Sequence, residues 1–205
     1  MPLRVVVVQH GEKERLPGDP GLTGLGHRQA RVTAEWSGLG DAPVGIWVSP
    51  MRRARETAAP IAEVLDIAVT VDPRLRERMN WDDPGTETIE AFLDDWRAAT
   101  ADRSHVPRSG DSSSQAAERF LEVLDDLARE HAAGTAIVVA HGGVTTDALR
   151  TLLGDDELRA RAPSLLDDGV PCCALTTLES TGGGWRVASV AVTDHLADGS
   201  AHRPV

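Results

Sequence analysis

Two histidines in this 205-residue chain stand where an open parallel sheet does its chemistry. His10 follows the β-branched run Val5-Val6-Val7-Val8 in the string Gln9-His10-Gly11, and His141 follows Ile137-Val138-Val139-Ala140 in the string His141-Gly142-Gly143. Ligands of such sheets bind beyond the carboxyl ends of the strands, and each histidine is a strand end followed by glycine. His141 also opens a helix, whose first N–H groups and positive dipole end suit an anion. A third strand end leads into Ser49-Pro50-Met51-Arg52-Arg53-Ala54-Arg55, where one inward arginine could grip a phosphate with its planar fork. Leu75-Arg76-Glu77, after a fourth strand, brings a carboxyl to the same edge, and a carboxyl beside a phosphate can serve as an acid. Taken singly, each has a plainer reading: a structural histidine, solvated arginines at Arg52 and Arg55, a surface glutamate. Together they describe an anion-handling edge.

The elements that position these residues are legible in the pattern. Continuous β-branched runs are what central strands buried on both faces look like. Shorter strands are expected at Val44–Ser49 and Ile67–Val71, and a hairpin at Cys172–Leu178 and Trp185–Val192 around Thr181-Gly182-Gly183-Gly184. Helices lie between. One covers 24–36 with Thr23 as N-cap. The next starts with Ser49-Pro50 as cap and N1 proline and buries Ala54, Ala58, Ile61, Ala62 and Leu65. Further stripes are Ile89, Phe92, Leu93 and Trp96; Ala117, Phe120, Leu121, Leu124 and Ala128; and Val144, Ala148, Leu149 and Leu152. Trp96 completes a stripe and is expected in the core. Strands alternating with helices predict an α/β fold, a three-layer α/β/α sandwich with a mainly parallel sheet. Residues 1–205 read as one domain, with a cap-like insertion over about 79–114.

Composition narrows the function. Twenty-one Lys and Arg against 32 Asp and Glu give a net charge of −11, which argues against broad nucleic-acid binding. No apolar run approaches the ~18 residues of a membrane span, and Val5–Val8 is too short for a signal-peptide core. The expected setting is the cytoplasm. Cys172 and Cys173 are adjacent, which offers neither a disulfide framework nor zinc spacing, and they read as small residues on a buried strand. The sequence carries no signal of oligomeric state.

The ordered set of strings resembles the histidine phosphatase, or phosphoglycerate-mutase-like, superfamily. Its Arg-His-Gly start, Leu-Thr-x-x-Gly-x-x-Gln-Ala, Ser-x-Leu-x-Arg-Ala-x-x-Thr-Ala, Leu-x-Glu and His-Gly-Gly are matched by Gln9-His10-Gly11, Leu22 to Ala30, Ser49 to Ala58, Leu75-Arg76-Glu77 and His141-Gly142-Gly143. Gly110-Asp111-Ser112 is similar to the family's Gly-Glu-Ser, and His195-Leu196 to its ending. The resemblance implies His10 as nucleophile, forming a phosphohistidine that water hydrolyses. It implies Arg53 and His141 as holders of the phosphoryl oxygens and Glu77 as the acid, with no metal and no cofactor. His27, His105, His131, His195 and His202 carry no catalytic expectation.

The main departure is Gln9, where the family has arginine. Glutamine still donates two N–H bonds but lacks the charge and the fork, and losing one such donor costs roughly 10²–10³ in rate. Lys13, two residues after Gly11, is placed to return a charge to the phosphate, the acid-phosphatase branch carrying an arginine there. Leu16 and Met79-Asn80-Trp81-Asp82-Asp83 replace mutase-type strings, so a phosphomonoesterase acting on a small phosphorylated molecule is expected ahead of a mutase. Asp82 or Asp83 is a weaker alternative to Glu77 as the acid. A non-catalytic phosphate-binding protein, a nucleotide module at Gly21–Gly26 and a metal hydrolase on His10 and His141 are the remaining readings, the last two with little motif support.

Overall fold

The β-branched runs form the middle of a six-stranded sheet. The computed structural model describes residues 2–40, 43–81, 83 and 88–196. Strand β1 (Leu3–Gln9) lies parallel to β4 (Gly134–Ala140), which pairs with β2 (Gly45–Val48), and β2 with β3 (Val69–Val71), all parallel. On its other side β1 pairs antiparallel with β5 (Leu175–Thr181), which turns through Gly182-Gly183 into β6 (Gly184–Val192). The order is β3-β2-β4-β1-β5-β6.

Side chains alternate across the sheet, so each central strand feeds two cores. Val5, Val7, Ala136 and Val138 pack under α4 (Ser113–Glu130) and α5 (Gly142–Leu153) with Phe120, Leu124 and Leu149. Val6, Val8, Ile137 and Val139 pack under α1 (Gly24–Ala34) and α2 (Arg52–Leu65) with Ala34, Ala58 and Ile61. This is the expected three-layer sandwich with a mainly parallel sheet. The remaining helices are α3 (Ile89–Ala101), α6 (Asp155–Arg161) and α7 (Leu165–Asp168). No described helix is long and apolar enough to cross a membrane.

The cap expected at Thr23 is present, and a second, not read from the sequence, stands at Ser112. Thr23 accepts the Gly26 N–H at 3.0 Å, and Ser112 forms a reciprocal capping box with Gln115. The cap expected for α2 is different. Its N-cap is Met51, and its first N–H, on Arg52, is taken by the Asp19 carboxylate from across the chain at 2.9 and 3.0 Å. Ser49 is thereby released for another task.

Two further expectations are corrected. The stripe on α3 is not a core stripe: Ile89 and Leu93 are each 36% exposed, while Asp95 and Ala99 are buried. The helix stands over a cavity, so Phe92 and Trp96 face that space instead of the sheet. Cys172 and Cys173 are buried and free, but they lie in the turn before β5, with Cys173 at φ 55°.

Candidate active site

The last rungs of two neighbouring strands bring the histidines together. Gln9 and Ala140 are register partners, so His10 and His141 are the next residues of adjacent parallel strands, with ring centroids 5.2 Å apart. The His10 backbone is tied on both sides, its N–H to the Ala140 carbonyl and its carbonyl to the Cys173 N–H, each at 3.2 Å. Its Nδ1 lies 2.8 Å from the Gly11 carbonyl. A carbonyl only accepts, so the ring proton sits on Nδ1 and the Nε2 lone pair is left bare. Arg53 points its Nε–H at that lone pair over 3.2 Å. Burial first, then the Arg53 guanidinium, push the imidazole down from 6.5 to about 3, against the pull of the Gly11 bond. His10 is therefore neutral at any physiological pH.

Gly11 is required by close approach. A Cβ there would stand 2.7 Å from the Gly26 carbonyl of α1. Thr57 ties the pieces together: its hydroxyl accepts the Gly11 N–H at 3.0 Å and donates to the Arg53 carbonyl at 2.8 Å.

Arg53 sits in the first turn of α2, buried, with Nη1 lacking a hydrogen bond and Asp19 Oδ1 3.9 Å away. Burial lowers its pKa from the ordinary guanidinium value, and Glu77 and then Asp19 oppose that shift. His141 caps α5 and is fully buried. Its Nε2 is 2.6 Å from the Ser49 hydroxyl, which also accepts the Met51 N–H, while its Nδ1 has no partner. Burial, then Arg53 and then His10 hold this imidazole well below 6.5.

The Glu77 carboxylate occupies the N-terminus of α5. It accepts the N–H of Gly143 at 3.0 Å, of Val144 at 2.8 Å and of Arg78 at 2.8 Å. This is the helix-end anion position, filled here by a side chain from another segment. Gly143 is what lets it in, since a Cβ there would be 2.5 Å from Glu77 Oε1 and 2.6 Å from the Trp96 ring.

These groups open on a cavity of about 720 Å³. Gln9, His10, Lys13 and Glu77 line it, and Arg53 and His141 sit behind that lining. Phe92, Trp96, Leu166 and Val170 add apolar surface to the lining. Burial, then Arg53 and Arg15, lower the Lys13 ammonium from its ordinary pKa. Gln9 keeps a buried Oε1 without a hydrogen-bond partner.

All six residues singled out in the sequence, Gln9, His10, Lys13, Arg53, Glu77 and His141, thus lie in one region. Of the weaker candidates, Asp83 is bound to Arg76 at 2.9 Å, and Asp82 lies outside the described residues, as does His202. Trp96 belongs to the cavity and not to the core, because Arg78 and the open space take its two sides. Arg103 binds Ser113, the Asp147 carbonyl and Thr151. Ser49, Thr57, Arg78, Asp147 and Arg119 were not singled out. Ser49 and Thr57 lie within the quoted Ser49–Ala58 string, so a signal existed for them; nothing local marks the other three. Among the described residues no group of three or more His, Cys, Asp or Glu is arranged to hold a metal ion.

The family model of the histidine phosphatase superfamily (branch 1) matches residues 5–193. The chain belongs to that superfamily. A metal-independent phosphoserine phosphatase of Arabidopsis thaliana is 30% identical over 155 residues, which is 68% of this chain and 64% of the plant protein. The chain therefore spans under two thirds of that relative's length. A probable phosphoglycerate mutase of Yersinia enterocolitica is 28% identical over 211 residues, 95% of each chain. Among solved structures, a mycobacterial glucosyl-3-phosphoglycerate phosphatase superposes with a TM-score of 0.74 at 27% identity, over 93% of this chain and 99% of that chain.

Proposed function

We propose that the protein is a phosphomonoesterase that works through a phosphohistidine at His10 on a small phosphorylated organic molecule. The observation that carries this is the unprotonated Nε2 of a neutral His10, whose lone pair accepts the Arg53 Nε–H while Arg53 Nη1 has no hydrogen bond. In the first step that lone pair forms the N–P bond, the P–O bond to the leaving group breaks, and Glu77 gives its proton to the leaving oxygen. In the second step water attacks phosphorus, the N–P bond breaks, and Glu77 takes the proton from the water. Arg53, His141 and the N–H donors at Gln9, with the charge of Lys13, stabilise the phosphoryl oxygens. The segment 79–114 serves as a cap, with Phe92 and Trp96 shaping the space for the leaving group. Buried free cysteines suit a reducing, cytoplasmic setting.

A second reading is a phosphate-binding protein without turnover, and Gln9 favours it, since it removes a cation from the nucleophile's side. The deciding experiment is hydrolysis of an aryl phosphate by the wild type and His10→Ala, with a strong chelator present. Turnover only by the wild type upholds catalysis at His10. Phosphate binding by both proteins, with turnover by neither on aryl or alkyl phosphates, favours the binding reading.

A further inference from the structure

Glu77 belongs to no strand or helix: it follows the 3₁₀ turn Pro73–Leu75 in irregular chain. Its position must come from what grips that chain. Two grips are present, one on each side. From α4, Arg119 donates through Nη1 to the carbonyls of Arg74 (2.5 Å) and Arg76 (2.6 Å) and through Nη2 to that of Glu77 (3.1 Å), while its Nε is held by Asp111 at 2.8 Å. On the other side, Arg78 places its Nη1 3.1 Å from both oxygens of Asp147 on α5. Its Nη2 reaches Thr100 at 2.9 Å, and its guanidinium lies 4.1 Å over the Trp96 ring. Ser113 at the start of α4 donates to the same Asp147 at 2.6 Å.

We infer that Arg119 and the Arg78–Asp147 pair are positioning residues, which fix Glu77 against the first turn of α5 so that its proton meets the leaving oxygen. The inference rests on Glu77 being the acid. The backbone N–H of Arg78 is one of the three donors to the Glu77 carboxylate, and the other two belong to α5. Anchoring the Arg78 side chain to Asp147 therefore locks all three donors into one frame. The energetics point the same way. Arg78 and Asp147 are both almost wholly buried, and buried ion pairs contribute little to stability compared with packed apolar residues. Such a pair is better explained by the geometry it fixes than by the stability it adds. Arg119, with three carbonyls of one short segment on its fork, has the same character.

The test uses two substrates. A nitrophenolate leaves without a proton, whereas the alkoxide of glycerol 2-phosphate needs one. kcat/KM is measured for both with wild type, Glu77→Gln, Asp147→Asn and Arg119→Lys. A misplaced acid should cost Asp147→Asn and Arg119→Lys at least roughly 10-fold on the alkyl ester and under about threefold on nitrophenyl phosphate, in the direction of Glu77→Gln. Equal losses on both substrates, or none, overturn the positioning role while Glu77→Gln still discriminates. If Glu77→Gln itself does not discriminate, or the wild type is inert toward both esters, the acid reading fails and takes this inference with it. Should Asp147→Asn not fold, Arg119→Lys, on a side chain that reaches the surface, decides the matter alone.

Discussion

Arg53 donates its Nε–H to the His10 lone pair that an attack on phosphorus would use, across 3.2 Å. The contact fixes the ring, but it also occupies the nucleophile. An arriving phosphate offers the guanidinium charged oxygens, which are stronger acceptors than a neutral ring nitrogen, so substrate binding and release of the lone pair become one event. Arg53→Ala should therefore lower kcat/KM for nitrophenyl phosphate by roughly 10²–10³. Arg53→Lys should recover little of that loss, because a point charge cannot hold two oxygens in a plane. Full recovery by lysine would mean that charge alone matters there.

The two histidines make stability depend on acid. In the folded chain His10 takes up its proton only at about 3, whereas an unfolded histidine does so near 6.5, and His141 is displaced in the same direction. Between those values the unfolded state binds more protons. The His10 contribution is complete above about pH 6.5 and is lost as pH falls toward about 3, at up to about 1.4 kcal/mol per pH unit, and His141 adds to the loss in the same direction. Urea unfolding at pH 7.5, 6 and 5 should show this slope, and a His10→Gln, His141→Gln double variant should flatten it. An unchanged slope in that variant would mean that other groups cause the acid sensitivity.

If Lys13 supplies the charge that Gln9 lacks, removing its ammonium must weaken the hold on an anion. Both line the cavity, and Lys13 is the cation nearest in sequence to His10. Lys13→Ala should raise the inhibition constant for inorganic phosphate about tenfold, or about 1.4 kcal/mol. Gln9→Arg should restore a charged donor beside the nucleophile and raise kcat/KM by about tenfold or more. Phosphate affinity that ignores Lys13→Ala would leave the ammonium as a solvated charge at the rim.

Gly143 is a tight point of the site, with both Glu77 and Trp96 within 2.6 Å of its missing Cβ. Gly143→Ala should force the carboxylate away from α5 and cost about 1–3 kcal/mol of stability as an overpacked position. It should also reduce turnover of alkyl phosphates more than that of nitrophenyl phosphate. Thermal unfolding with both substrates would detect the two effects separately, and a variant with wild-type melting and turnover would show that the carboxylate has room to spare.

The sheet and the strand-end residues were legible because they are written locally. Val5–Val8 and Ile137–Ala140 announce central strands by β-branching, and the glycine after each histidine marks the strand end. The failures share one physical cause, which is partnership across long sequence distances. Asp19 caps α2 from 33 residues away, which no local capping pattern around Ser49-Pro50 reveals. Ser49 then meets His141 across 92 residues, and Arg78 meets Asp147 across 69. Trp96 kept the spacing of a core residue because helical periodicity reports which side chains share a face and is silent on whether that face meets a sheet or a cavity.

The register of β1 against β4 has a further consequence. Since Gln9 pairs with Ala140, the separation of His10 from His141 is set by the spacing of two hydrogen-bonded strands in the middle of the molecule. Neither backbone can drift from the other at this end without parting the ladder. The histidine pair should therefore lack a melting step of its own: on heating, the loss of the pair's geometry and the loss of the sheet should be one transition, whatever loosening α3 undergoes beforehand.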